Sequence, residues 1–253
     1  MSKVMLRLLA ILHTASTCLA GNLRPNIVGG SLVTTVPHSH PHLVSIRKYG
    51  YHTCGGSIVN KRIVLTAAHC FISDDTTGLY IVAGIANLTE KGQAIRIAKV
   101  RRHPKYKEFL HFDVAIATLQ RPLEFNERVQ AIAISEEEVG GGVECITAGW
   151  GYTKANGSVS EVLKELRVKT LTKEQCQSKQ PYRNNFINDG HICTLVKVGH
   201  GVCQGDSGGS LLGNGQLIGI TSWVWPCARG RPDVFTRITK CIDWIKKEIS
   251  QED

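Results

Sequence analysis

The 253-residue chain contains no uncharged apolar run of the roughly 20 residues that a membrane helix requires, which argues against a spanning protein. Proline is scarce, with 8 residues, and there is no low-complexity linker, internal sequence repeat or long helical period. No Cys-x-x-Cys pair occurs, so zinc-ribbon and thioredoxin readings lose their usual signature. What remains is ordinary globular composition, 42% apolar and 20% charged, which excludes collagen-like, coiled-coil and disordered classes. The length suits one large domain or two small ones of about 100–150 residues each.

The N-terminus reads as an export signal over residues 1–20. Lys3 gives a basic start, an apolar stretch spans Leu6 to Ala15, and Thr17-Cys18-Leu19-Ala20 ends in a small residue where cleavage is expected. Arg7 and His13 make the stretch too polar to anchor. The formal charge is +9, and loss of residues 1–26, which hold Lys3, Arg7 and Arg24 but no acid, leaves +6. That balance fits a moderately basic secreted protein and identifies no nucleic acid or other partner. Of nine cysteines, Cys18 lies in the signal, and the even number left suits a disulfide framework whose pairing the sequence does not set.

Short runs rich in Val, Ile, Leu and Thr recur between Gly, Asn and Asp signals. They predict strands at His42–Arg47, Arg62–Ala67, Leu79–Ala83, Ala94–Val100, Val114–Leu119, Glu144–Ala148, Glu165–Thr170 and Asp233–Ile238. Ser210–Leu212 and Gln216–Ile220 flank Asn214-Gly215, a two-residue hairpin signal. The pattern predicts an all-β sandwich or barrel pair. Thr172-x-x-Gln175 is a capping-box start for a short helix, and Ile242, Ile245 and Ile249 mark an amphipathic terminal helix. Pro122–Gly142 is the most linker-like stretch.

Three segments carry chemistry. Leu65-Thr-Ala-Ala-His69-Cys70 ends a strand in small residues and delivers a histidine beside a cysteine that can pin it. Phe112-Asp113-Val-Ala-Ile-Ala-Thr-Leu119 places an acid at the mouth of an apolar strand, where burial leaves it needing a donor. In Cys203-Gln-Gly205-Asp206-Ser207-Gly208-Gly209, glycines allow a tight turn that exposes a serine beside converging amide groups. A serine hydroxyl needs a base, and the base needs a group that orients it. His69, Asp113 and Ser207 supply those roles in that order.

These motifs resemble the trypsin/chymotrypsin serine peptidases, from Ile27 to the terminal helix. The resemblance implies two six-stranded Greek-key β-barrels, over residues 27–125 and 126–253, with the site in the cleft between them. It implies Ser207 as nucleophile, His69 as base, Asp113 as orienter, and the amides of Gly205 and Ser207 as oxyanion hole. It implies a substrate site lined by Gly201, Val202, Gln204, Ser222, Trp223, Val224 and Asp233. Ile27-Val28-Gly29-Gly30 matches the family's mature N-terminus, whose freed ammonium pairs with Asp206, so Gly21–Asn26 is read as a propeptide. Asn26 departs from the basic residue usual before the cut, and Arg24 precedes Pro25.

The resemblance also implies bridges Cys54–Cys70, Cys176–Cys193 and Cys203–Cys227. The family's partner for Cys145 would stand where this chain has Gly213, which leaves Cys145 and Cys241 to pair with each other. In the pocket, Gly201 replaces the aspartate that trypsin-like enzymes carry six residues before the nucleophile. Val224 and Asp233 stand where glycines are usual, and the pairing of a Gly base, Gly201, with a wall Asp, Asp233, resembles the broad-specificity collagenolytic branch. Asp233 either attracts Lys or Arg or forms a salt bridge to Arg229 or Arg231; Val224 favours small residues.

Other features are weighed against these. His38, His40 and His42 could suggest a metal site on a surface strand, but nothing else pairs with them, and no metal or cofactor is called for. The basic run Lys99–Lys107 offers polyanion binding or a solvated face. Asn87-Leu-Thr89 and Asn156-Gly-Ser158 are glycosylation sequons. The expectation is therefore a secreted, monomeric serine endopeptidase made as a zymogen. It would act on protein or peptide substrates and meet an activating protease and a protein inhibitor. The rival is a catalytically silent regulatory or binding protein on the same fold.

Overall fold

β-Branched and aliphatic residues in runs of four to ten form the strands, and glycines let two of the less apolar strands pack closely. The computed structural model describes residues 27–33, 39–108, 110–154 and 156–251; the signal and propeptide readings for residues 1–26 lie outside them. After a short strand β1 (Ser31–Leu32), the first barrel comprises β2 (Leu43–Lys48), β3 (Tyr51–Ile58), β4 (Ile63–Thr66), β5 (Leu79–Ala83), β6 (Gln93–Arg102) and β7 (Ala115–Leu119). It closes in the order β2-β3-β4-β7-β6-β5, every neighbour antiparallel. Closure removes the open edges a sheet would otherwise expose.

The second barrel comprises β8 (Glu144–Gly149), β9 (Lys164–Leu171), β10 (His191–Leu195), β11 (Ser210–Gly213), β12 (Gln216–Trp223) and β13 (Asp233–Arg237). Pairing of β8 with β9 closes it, and β1 adds to the edge of β9 with Ser31 opposite Glu165. The hairpin between β11 and β12 turns through Asn214 and Gly215, both with positive φ (50° and 74°), as a type I′ turn requires. The chain is thus all-β, as expected, with two short α-helices. Helix α1 (Lys173–Ser178) starts on the full capping box of Thr172 and Gln175. Helix α2 (Ile242–Ser250) buries Ile245. Among the described residues, no helix is long and apolar enough to cross a membrane.

Two apolar clusters join the barrels. Ile63, Leu65 and Ile116 of the first pack with Leu217 and Ile220 of the second and with Ile238, Cys241 and Ile245 around α2. Leu43, Val82 and Ile85 pack with Ala148, Trp150 and Leu163, and Trp150 Nε1 donates to the Ala86 carbonyl at 3.1 Å. The linker-like stretch 122–142 is instead a strap tied to both barrels. Leu123 N donates to Lys61 O at 2.7 Å, and Ser135 N to Leu217 O at 3.0 Å.

Three strands are absent from the pattern reading: β1, of two residues, β3 and β10. β3 carries Gly55-Gly56 in its middle, and β10 is a short run behind a turn. The histidines at 40 and 42 do not lie on a surface strand: both are buried, with His40 Nε2 2.8 Å from Glu165 Oε2 and His42 Nε2 3.0 Å from Ser210 Oγ. His38 lies outside the described residues. The three bridges Cys54–Cys70, Cys176–Cys193 and Cys203–Cys227 are formed. The expected Cys145–Cys241 bridge is not: both cysteines are free and buried. They belong to separate cores, Cys145 among Leu166, Val168 and Ile218 inside the second barrel and Cys241 beneath α2.

Candidate active site

The site is built where β4 and β7 of the first barrel end against the second barrel. β4 leads through Ala67 into a single 3₁₀ turn, Ala68–Cys70, and the Cys54–Cys70 bridge ties that turn back to β3. His69 is thereby held at the barrel mouth with its side chain 24% exposed, while Asp113, just before β7, is 5% exposed. His69 Nδ1 donates to Asp113 Oδ2 at 2.7 Å, and the His69 amide donates to Asp113 Oδ1 at 3.0 Å. The second barrel completes the cradle: Ser222 Oγ donates to Asp113 Oδ2 at 2.6 Å, and Thr236 Oγ1 donates to the Asp113 carbonyl at 2.9 Å.

This pairing sets the charges. Burial alone raises the Asp113 pKa, but hydrogen bonds from His69 and Ser222 and the charge of His69 outweigh it and hold the carboxyl below its ordinary range. Burial alone lowers the His69 pKa, but the hydrogen bond and charge of Asp113 reverse the sign, and His69 is raised above 6.5. The carboxylate accepts from Nδ1–H, so Nε2 of the neutral ring is an acceptor.

Ser207 arrives from the second barrel on a turn that only glycines can make. Gly205 and Gly208 have φ of +92° and +78°. A side chain on Gly208 would lie 2.1 Å from Thr66 Oγ1 and 2.5 Å from the Gly55 carbonyl, so the turn docks on the end of β4, three residues before His69. Gly55 N donates to the Ser207 carbonyl at 2.8 Å and fixes the approach. No hydrogen bond joins Ser207 to His69 among the described residues.

The amides of this turn divide in a telling way. Those of Asp206, Gly208 and Gly209 donate to Cys203 O, Thr221 O and Asp206 O at 3.0, 2.8 and 3.0 Å. Those of Gly205 and Ser207 donate to nothing among the described residues. Backbone donors in a folded turn are rarely left over, so these two amides stand as available donors beside the serine.

His52, which the sequence reading did not single out, touches the same turn. Its Nε2 donates to the Gly205 carbonyl at 2.9 Å, and a carbonyl can only accept, so Nδ1 accepts from Ser45 Oγ at 2.8 Å. Burial, partly offset by the Gly205 bond, lowers its pKa to about 4 and keeps the ring neutral. A lone histidine in a strand carries no sequence signal for a partner 153 residues away.

Asp206 is buried, with Gly151 N donating to Oδ1 at 2.7 Å and Cys203 N to Oδ2 at 2.9 Å. Glycine at 149 and 151 makes the room: side chains there would lie 2.2 and 2.1 Å from its carboxyl oxygens. Burial raises its pKa to about 7 against the pull of those two amides. Ile27 is fully buried in the same barrel, and Val28 bridges Gly201.

Gly201 and Asp233 face each other. A side chain at 201 would lie 2.8 Å from Asp233 Oδ2, so the Asp233 carboxyl fills the space such a side chain would take. Asp233 accepts from Val202 N at 3.0 Å and makes no ion pair with Arg229 or Arg231 among the described residues, so the salt-bridge alternative falls away. Burial raises its pKa well above the usual value, and the Asp206 charge adds to this. Val224 packs partly buried on the barrel core, Trp223 is buried at the end of β12, and Gln204 is exposed.

The grouping of Cys54, His69 and Cys70 is no metal centre, because both sulfurs are consumed in a disulfide. The basic run is partly neutralised, with Arg101 paired to Glu248 and Arg102 to Asp74.

Comparison with known proteins matches the trypsin family over residues 27–245. The chain is 36% identical to trypsin II-P29 of Gallus gallus, over 98% of this chain and 99% of that protein. It is 37% identical to anionic trypsin of Canis lupus familiaris over 88% of this chain and 90% of that one. It is 33% identical to trypsin alpha-4 of Lucilia cuprina over 87% and 86% of the two chains.

Proposed function

The chain belongs to the trypsin family of serine endopeptidases, and on that premise we propose that it is secreted as a zymogen and cleaves peptide bonds through Ser207, His69 and Asp113. The observation that carries the reading is the His69–Asp113 pair at 2.7 Å, with the glycine turn of Ser207 docked three residues away on the same strand end. Ser207 Oγ attacks the scissile carbonyl while His69 Nε2 takes its proton. The resulting oxyanion is held by the uncommitted amides of Gly205 and Ser207. His69 then returns the proton to the leaving amine, and water repeats the sequence on the acyl-enzyme.

Activation is assigned to a cut between Asn26 and Ile27. In the uncut chain Asp206 is a buried carboxyl served by amides alone. A new ammonium at Ile27 would supply the cation that such a group otherwise lacks. Asn26 calls for an activator that does not require a basic residue.

For specificity, the reading is that Asp233 governs the pocket and favours Lys or Arg on the acyl side of the bond. Among the described residues its carboxyl, against Gly201, has one amide partner and no cation, and an entering cation would lower its pKa. Val224 narrows the entrance.

The test is active-site labelling with a fluorophosphonate before and after cleavage at Asn26–Ile27, followed by a peptide-library profile. Labelling of Ser207 confined to the cut chain, with basic residues preferred and that preference lost in Asp233→Ala, is expected. Absence of labelling in the cut chain sinks the enzymatic reading in favour of a silent protease-fold protein. A small-residue preference unaffected by Asp233→Ala hands the pocket to Val224.

A further inference from the structure

The residue in front of Asp113 has a backbone that its own side chain does not favour. Phe112 has φ of +52°, in the left-handed region that a bulky residue rarely enters. The next step of the chain is equally tight. Val114 N donates to the Phe112 carbonyl at 2.8 Å, which closes a three-residue turn with Asp113 at its centre. The direction in which the Asp113 carboxyl leaves the chain therefore depends on the conformation of Phe112. A conformation of this kind persists only where the surroundings hold it.

What holds it is an aromatic stack. The Phe112 ring lies flat on the His103 imidazole, with centroids 4.3 Å apart and planes 5° from parallel. His103 in turn meets Trp244 of α2 edge to face, at 4.8 Å and 66°. His103 has little freedom of its own. It is 7% exposed, and its Nδ1 accepts from the Lys105 amide at 3.1 Å. Burial, and then the charge of Lys105, hold its pKa below 6.5, so the ring is neutral and keeps that acceptor.

His103 also reaches the far side of the turn. Its amide donates to the Val114 carbonyl at 3.0 Å. Both flanks of Asp113 are thus tied to one residue, Phe112 through its ring and Val114 through its backbone. The bonds from His69 and Ser222 fix where the carboxyl ends, and this clamp fixes where it starts. A contact of 2.7 Å between Asp113 and His69 leaves little tolerance for a carboxyl that starts elsewhere.

We propose that Phe112, stacked on His103, is a positioning residue that holds the three-residue turn and so aims Asp113 at His69 Nδ1. The proposal rests on the endopeptidase reading above and adds to it a support outside the reacting groups.

Two measurements test it. The first uses the full chain carrying Asn26→Arg, converted with immobilised trypsin, and gives kcat and KM on a peptide substrate per Ser207 labelled by a fluorophosphonate. The second uses the same chain with Ser207→Ala, which performs no chemistry, and titrates His69 by NMR of its labelled imidazole ring. Glu108, the other acid acting on His69, is replaced by Gln in every chain compared, so that a moved loop charge is not read as a moved Asp113. Phe112→Gly permits the left-handed backbone but has no ring, and His103→Ala leaves the Phe112 ring nothing to lie on. Each should lower kcat per labelled site by about tenfold with KM unchanged, and each should lower the His69 pKa. His103→Phe restores a flat ring and should recover most of both losses.

A role confined to stability would lower the melting temperature and the labelled fraction, while kcat per labelled site and the His69 titration stay where they are. That result overturns the proposal. If Phe112→Gly does not fold, the comparison of His103→Ala with His103→Phe decides in the same way. Failure of the endopeptidase reading shows separately, as a cut parent chain that does not label, and the NMR titration still reports whether the stack holds Asp113 on His69.

Discussion

Ser222 and His69 converge on one oxygen of Asp113, at 2.6 and 2.7 Å, and thereby make the second barrel a structural partner of a pair that belongs to the first. In the proposed mechanism Asp113 has two roles: it fixes the imidazole tautomer and it stabilises the ring once protonated. Asp113→Asn keeps the shape but presents an amide that can donate to Nδ1 and reverse the tautomer. The expected outcome is a fall in kcat of about 10⁴, a magnitude typical of this protein family and not one read from this structure. Single-turnover kinetics on the cut chain check it, with unchanged thermal stability showing that the fold survives.

The raised His69 pKa sets the direction of the pH profile. The base must be neutral, so kcat/KM should rise with pH through a limb above 6.5. Asp113 and Glu108 are the acids that raise it. In Asp113→Asn the largest supporting interaction is gone and burial, which lowers the pKa, prevails. Its residual activity should therefore titrate with a limb displaced to lower pH. A limb that stays put would mean that another group is being titrated.

Asp206 gives the uncut chain a pH-dependent stability of the opposite sense to an ordinary paired carboxylate. Its folded pKa of about 7 lies above the unfolded value near 3.8. The folded chain therefore holds a proton that the unfolded chain releases. Stability is greatest below about pH 4 and is lost as pH climbs toward 7, by about 4 kcal/mol for a shift of this size in a fully buried group. Asp206→Asn removes the titration at the cost of one amide hydrogen bond. The difference in melting temperature, variant minus wild type, should grow from pH 4 to pH 7. A constant difference would show that Asp206 is already ionised in the uncut chain.

Much of this arrangement is readable from the chain, for reasons that differ by element. β4, β5 and β7 are runs of aliphatic residues buried along their whole length but for Tyr80, and both apolar pattern and boundaries follow from that. His69, Asp113 and Ser207 stand out because their flanking small residues and glycines have no other use. β3 escapes the pattern because its glycines answer distant contacts: a side chain on Gly55 would lie 3.0 Å from Gly209 Cα, and one on Gly56 would lie 2.7 Å from Val64. His52 escapes for the same reason. The two histidines at 40 and 42 mislead because alternation with polar neighbours looks like a surface strand, whereas both are buried with hydrogen-bonding partners from the second barrel. Cysteine parity misleads too, since an even count says nothing of whether the last two side chains share a core.

That last point leads to a stability prediction at Cys145. Its directly opposite residue across β8 and β11 is Gly213. Antiparallel partners sit about 4.5–5.5 Å apart at Cα, within the span a disulfide bridges. Gly213→Cys should therefore oxidise with Cys145. The closed loop of nearly 70 residues would stabilise the chain by about 4 kcal/mol at most. Part of that gain is lost to crowding, because a side chain at 213 comes 3.0 Å from Ile218 Cδ1. In the unmodified chain, burial pushes the Cys145 and Cys241 thiols up to about 11 and about 12. Both should resist a thiol reagent until the chain unfolds. In Gly213→Cys one titratable thiol should remain after denaturation, that of Cys241, and the melting temperature should rise in oxidising but not in reducing buffer. Two or more free thiols with no rise would mean that the β8–β11 register differs from the one described.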